Sequence, residues 1–162
     1  MAAGRDILEL AGPTGVTMNA VAQRVNVKAP SLYKRVRDRD ALLGLIADST
    51  IDDLGARTAS IDTLTELART FRSFAKERPE GFRLMFAGGA STDALSRSVE
   101  PVLRVSTALV GEQHALEAAR LIVSWSTGFL SMELAGAFRM GGDVDEAFEF
   151  GLARIAAALQ SH

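Results

Sequence analysis

The sequence predicts an all-α fold: an N-terminal three-helix domain built around a helix-turn-helix, a linking helix, and a second helical domain. Three observations carry this. Apolar residues recur at three- and four-residue spacing through almost every segment, as one face of a helix requires. Strand signals are missing: aromatics are 6% of the 162 residues, and no long apolar/polar alternation occurs. Segment boundaries carry capping residues, prolines and glycine pairs rather than hairpin turns.

Taken in order, a short helix is expected at about 3–11, followed by the loop Gly12-Pro13-Thr14-Gly15. Only Arg5-Asp6-Ile7-Leu8-Glu9-Leu10-Ala11 precede that loop, so the first helix is expected to cover the domain core poorly. Two short helices follow at about 18–25 and 30–36. Asp38 stands where it can cap a long helix at about 39–57. The domain boundary is placed there, giving domains at 1–57 and 58–162. Ser60 is the expected cap of a helix at about 61–78, which Arg78-Pro79 ends because the residue before a proline is pushed out of the helical region. A helix at about 80–87 leads into Gly88-Gly89. Helices at about 92–110 and 113–139 come next. Gly141-Gly142 breaks the chain, and Asp143 with Glu146 resembles a capping box opening a last helix to about 160.

Composition excludes several chemistries. There is no cysteine, and the only histidines are His114 and the C-terminal His162. A thiolate zinc site, a cysteine nucleophile and a histidine-based metal site or triad are therefore not expected. No catalytic residue set, metal or cofactor can be named. No apolar run reaches the roughly 18 residues of a membrane span, and no charged start followed by an apolar stretch marks a signal peptide. A soluble, cytoplasmic protein without a membrane partner is expected. Net charge is −2, yet Arg24, Lys28, Lys34, Arg35, Arg37 and Arg39 face one acid, Asp38, within 24–39. A local basic patch is the electrostatic footprint of a DNA-binding face.

That patch lies on a helical hairpin. Thr17 can cap its first helix, whose Val21, Ala22 and Val25 share an apolar face. Asn26 sits where the turn needs a residue that tolerates a left-handed backbone. Val27 plugs the gap between the helices. Pro30 falls at the first position of the next helix, where its missing N–H costs nothing. Leu32 and Val36 face inward; Ser31, Lys34 and Arg35 face outward. A short helix with an apolar back and a small or basic front suits a major groove. A plain helical hairpin with a solvated basic face fits the same pattern.

The wording of this stretch, T-x-x-x-V-A-x-x-x-x-V-x-x-P-S-L-Y-x-x-V-x-x-R-x-A-L-L from Thr17 to Leu43, resembles the DNA-binding domain of TetR-family transcriptional regulators. The resemblance implies that Thr17 and Met18 begin the phosphate-facing end of one helix. It implies that Asn19, Lys28, Ala29, Pro30 and Ser31 approach bases, and that Tyr33, Lys34, Arg35 and Arg39 grip the backbone. It also implies that the second domain binds a ligand and dimerises. Leu121–Leu134 is similar to a subgroup's "Trp…His-Gly…Leu-Glu-Leu" segment, with Thr127 in place of the histidine.

In that second domain, Leu121, Trp125, Phe129 and Met132 form one stripe, and Val123, Thr127, Leu130 and Leu134 another. Phe148, Leu152, Ile155 and Leu159 lie on one face of the last helix. Two such helices per subunit can build a four-helix dimer interface using Leu130, Leu134, Phe148, Leu152, Ile155 and Leu159; the alternative is that both stripes are internal core. Candidate ligand-lining residues are Phe71, Phe74, Phe82, Met85, Phe86, Trp125, Phe129 and Met132, with Gly88-Gly89 as a gating loop, although such residues also make ordinary core. The resulting expectation is a regulator, not an enzyme. It binds a near-palindromic operator as a homodimer, represses, and responds to an unidentified small apolar ligand. The rivals are a helical interaction module that has lost DNA binding and, last, a small helical enzyme.

Overall fold

The computed structural model describes residues 1–160; His162 lies outside them. Every regular element among the described residues is helical: α1 (Ala2–Gly15), α2 (Met18–Arg24), α3 (Ala29–Tyr33), α4 (Arg39–Thr58), α5 (Leu64–Glu77), α6 (Pro79–Met85), α7 (Thr92–Val110), a single 3-10 turn at Glu112–His114, α8 (Ala115–Leu134) and α9 (Val144–Gln160). The chain forms two compact units: Met1–Leu54 with Glu77–Arg97, and Gly55–Lys76 with the chain from Ser98 onward.

The first unit packs α1, α2, α4 and α6 around Leu8, Val16, Met18, Val21, Val36, Leu42, Ile46 and Leu84. Its first helix is longer than expected. The chain kinks at Gly12 (φ 64°, ψ −177°) and continues helically through Pro13, where Val16 N–H donates to the Pro13 carbonyl. Leu8 is wholly buried, so the core is well covered at this end.

The expected boundary at 57 also needs correction, because residues 77–97 belong to the first unit. The physical reason is local. Leu84 is part of that unit's core. The Glu9 carboxylate of α1 accepts the N–H groups of Glu80 (3.1 Å) and Gly81 (2.8 Å). These are orphan donors of the first turn of α6, which Arg78 caps with no side chain of its own. At the other end, Ser91 N–H donates to Asp48 of α4 at 2.7 Å. The chain just after Gly88-Gly89 is thereby fastened to α4.

The second unit's core joins Ile61, Leu64, Leu67 and Ala68 to Val102 and Val105, to Ala118, Ala119 and Ile122, and to Phe148, Leu152 and Leu159. Thr63 caps α5, accepting Glu66 N–H at 3.3 Å; Ser60 does not. Helix α8 stops at Leu134, five residues before the expected 139. Gly136 is left-handed there (φ 61°), and the N–H groups of Gly136 and Ala137 return to the carbonyls of Glu133 and Met132, a Schellman stop that glycine makes easily. The Asp143 cap of α9 forms as expected, accepting the N–H groups of Asp145 and Glu146.

Two contacts hold α8 and α9 in this unit. Trp125 stacks on Phe148 with ring centroids 5.3 Å apart, and the absence of a side chain at Gly151 lets the indole in, since a Cβ there would lie 2.6 Å from Trp125 Cζ2. Arg72 of α5 is the second. Its Nε and Nη2 bridge the Glu133 carboxylate at 2.9 and 2.6 Å, Nη2 also reaches Asp145 at 2.6 Å, and the guanidinium lies over the Phe148 ring.

This packing corrects most of the predicted dimer face. Leu130, Phe148, Leu152 and Leu159 are buried within the protomer, and Leu134 and Ile155 are half-buried. A side chain already enclosed by its own core is not available to a partner. The large apolar residues that α8 and α9 leave exposed are Leu116, Leu121, Val123, Met132 and, at 65%, Phe150.

The Arg72 guanidinium holds the Glu133 carboxyl below the ordinary carboxylate range. A lowered native pKa stabilises the fold above the unfolded value of about 4.3, and that contribution is lost as pH falls through the native value. Glu133→Gln is therefore expected to lower the thermal midpoint at pH 7. The gap to wild type should narrow as the buffer is taken below about pH 4, read by circular dichroism melts across that range.

Candidate nucleic-acid interface

The interface residues stand on α2, α3 and the turn between them. The N–H of Ala20 donates to Thr17 Oγ1 at 3.1 Å, so Thr17 caps α2 as expected. At the other end Asn26 takes the left-handed conformation (φ 54°). The N–H groups of Asn26 and Val27 then return to the carbonyls of Gln23 and Ala22, closing α2 with a Schellman pair. Lys28, extended at φ −75° and ψ 138°, is the cap of α3. Pro30 is thus the second residue of α3, one later than expected. Leu32 is half-buried and Val36 buried against the first unit's core.

Asn19, Lys28, Pro30, Ser31, Tyr33, Lys34 and Arg35 are exposed and Ala29 is half-buried. Two predicted members differ. Met18 is buried in the core of the unit, because its side chain faces α1 and α4 rather than solvent. Arg39 is exposed but engaged: its Nε donates to the Val16 carbonyl at 3.0 Å and its Nη2 to the Pro13 carbonyl. It ties the α1–α2 turn to the start of α4, a positioning role that the sequence pattern did not show.

The basic stretch is also sorted by its partners. Arg24 pairs with Asp6 at 3.6 Å, and Arg37 with Asp38 at 2.7 Å. Asp38 in turn accepts Ala41 N–H at 2.8 Å, the cap expected for α4, and this bond first, then Arg37, holds its carboxyl below the usual range. Among the described residues, Lys28, Lys34 and Arg35 remain without a carboxylate partner. Three uncompensated cations at the two ends of a short exposed helix can bind an anion such as a phosphate chain.

The predicted ligand-lining residues do not share one environment. Phe82, Met85 and Phe86 belong to the first unit. Phe82 and Met85 are buried there, and Phe86 is exposed with its ring edge-on to Phe82. Phe71, Phe74, Trp125, Phe129 and Met132 belong to the second. Phe74 is fully buried beneath the Arg57 guanidinium, and Phe71 is half-buried. Trp125 and Phe129 pack with Phe148 and Phe138 in an aromatic cluster. Met132 is exposed on α8, as is Leu121 of the same stripe. The same unit buries the hydroxyls of Ser106, Ser126 and Thr127 with no hydrogen-bond partner.

No helix among the described residues is long and apolar enough to cross a membrane. The fold and the exposed α2–α3 face define a helix-turn-helix protein with a second helical unit. Residues 64–155 match the family described as tetracyclin repressor-like, C-terminal domain. An uncharacterized HTH-type transcriptional regulator of Mycobacterium tuberculosis is 32% identical over 94% of this chain and 76% of its own length. The crystal structure of Mycobacterium smegmatis BioQ superposes with a TM-score of 0.74 at 26% identity, covering 99% of this chain and 95% of that one. A BioQ structure with its natural double-stranded DNA operator gives 0.69 at 28% identity, with the same coverage. The chain belongs to the tetracycline-repressor-like family of helix-turn-helix transcriptional regulators.

Arg39→Ala is expected to lower the stability of the first unit by about 1 kcal/mol, the net worth of a typical hydrogen bond. Lys34→Ala, which breaks no contact, should stay within about 0.5 kcal/mol of wild type. Denaturant melts of the two variants check the distinction.

Proposed function

We propose that this regulator is a repressor that grips a near-palindromic operator duplex as a homodimer and releases it when a small, largely apolar molecule binds the second unit. The reading makes it a cytoplasmic binding protein without catalysis. One observation carries it: the exposed face of α3 keeps Lys28, Lys34 and Arg35 uncompensated while neighbouring cations are neutralised. Charges left bare beside a short exposed helix are suited to phosphates flanking a groove. The structure of BioQ with its double-stranded DNA operator supports the same use of this fold.

One such helix covers only a half-site, so a two-fold protein pairs with a two-fold duplex. For the subunit contact we assign three of the exposed apolar residues of α8 and α9, Leu121, Val123 and Phe150. For the ligand we assign the second unit's aromatic side chains, with Phe71, Phe74, Trp125 and Phe129 as wall candidates. The unpartnered hydroxyls of Ser106, Ser126 and Thr127 suit a molecule carrying one or more polar atoms, since a buried hydroxyl without a partner costs about 1–3 kcal/mol.

Operators obtained by selection from random DNA should be near-palindromic and take two protomers per duplex in a titration. Lys34→Ala should weaken all sequences alike and reduce the salt slope by about one. Leu121→Asp should leave a folded monomer in sedimentation that binds the duplex weakly. One protomer on an asymmetric site, or an unchanged slope, would count against the reading.

Trp125 is the only tryptophan, so its emission reports the aromatic cluster alone. A ligand found by screening small apolar molecules against that emission should shift operator affinity by about 1–3 kcal/mol. Hits that move the emission and leave operator affinity unchanged would remove the regulatory role of this unit.

A further inference from the structure

Four aromatic rings meet in the second unit. Phe148 is wholly buried; Trp125 stacks on it with centroids 5.3 Å apart, and Phe129 meets it edge-on at 5.4 Å. These three stand on α8 and α9, whose backbone hydrogen bonds hold them in place. The fourth ring, Phe138, lies 4.9 Å from Phe129. It stands between the two helices, outside both, and is 38% exposed.

The segment that carries Phe138 is loosely held. Residues 135–143 are all exposed. Among the described residues, none from 138 to 142 takes part in a backbone–backbone hydrogen bond. The Arg139 side chain donates to the Gly136 carbonyl at 3.1 Å, a bond within the segment. Glycine stands at both ends: Gly136 (φ 61°) where α8 stops, and Gly141 and Gly142 (φ 80° and 85°) ahead of Asp143. A Cβ at any of the three would meet nothing within 4 Å, so packing does not demand glycine there. What they supply is backbone freedom on either side of Phe138. Exposure, few hydrogen bonds and little packing are the conditions under which a piece of chain opens locally. Met140 is fully exposed, and the Phe138 ring is what holds the segment to the cluster.

We propose that residues 135–142 form a lid on this cluster with Phe138 as its plug, and that the ligand carries a planar aromatic group, which takes the place of the Phe138 ring against Phe129. A flat ring reproduces the contact that Phe138 gives up, because aromatic rings pair in offset and edge-on arrangements at such separations. The proposal rests on the ligand-binding reading above.

Toluene serves as the probe, with methylcyclohexane as its saturated counterpart. Trp125 emission is the readout, excited where toluene does not absorb. One ring pair is worth about two- to tenfold in an equilibrium beyond the area it buries. Phe138→Ala is therefore expected to bind toluene about tenfold more tightly than wild type, since no ring competes for the place. Phe138→Tyr keeps the ring, with its hydroxyl able to reach water, and should match wild type. Phe138→Ser repeats the alanine result with a side chain suited to an exposed turn, so the outcome does not hang on the folding of one variant. Both variants without the ring should prefer toluene to methylcyclohexane. Equal toluene affinity in wild type and in both of those variants, or no preference for toluene, overturns the proposal and leaves ligand binding to the second unit standing. Emission that toluene changes in none of the proteins also overturns it. If toluene binds the ring-less variants as expected while operator affinity is the same with and without it, the lid stands and the regulatory reading falls.

Discussion

At Asn26 the backbone goes left-handed, and the chain reverses from α2 into α3 within a few residues. The reversal is held by two hydrogen bonds from the N–H groups of Asn26 and Val27 back into the last turn of α2. A β-branched residue at that φ would be strained, whereas asparagine tolerates it. Where α3 begins, and therefore which of its side chains face outward, follows from this turn. Leu32 and Val36 then bury on one side and Ser31, Lys34 and Arg35 stand clear on the other.

Around that turn the first unit is fastened by polar clips between distant segments. Thr17 closes the start of α2, Arg39 holds the carbonyls of the α1–α2 turn, and Arg5 reaches Asp53 at 3.1 Å across to α4. Glu9 supplies α6 with the cap that its own sequence lacks. These bonds place α6 in the first unit, although the chain on either side of residues 77–97 belongs to the second. The chain accordingly leaves or enters the first unit three times, within α4, ahead of α6 and within α7.

The second unit depends on a buried cation. Arg72 is bound by Glu133 and Asp145, and Phe148 lies beneath it, so one side chain of α5 fixes the end of α8 and the start of α9. Removing one partner of such a pair strands the other charge in a low-dielectric site. The aromatic cluster beside it packs through a close approach that only Gly151 permits. Together these contacts turn Phe148 and Leu152 inward and leave Leu121 and Phe150 outside.

The sequence by itself determined the helical class, nearly every helix, and the hairpin with its Thr17 cap and Asn26 turn, because these are set by residues within about five positions of one another. It also marked Asp38 and Asp143 as caps for the same reason. Tertiary structure decided the rest. The expected cap at Ser60 moved to Thr63, and Gly136, inside the apolar pattern of α8, ended that helix. Met18 turned inward and Arg39 was taken up by carbonyls 23 and 26 positions away. The apolar stripe of α9 could serve a partner or its own core equally well by periodicity. The burial of Phe148 against α5 and α8 settled it, and a repeat of 3.6 residues says which side of a helix is apolar but not what will cover it.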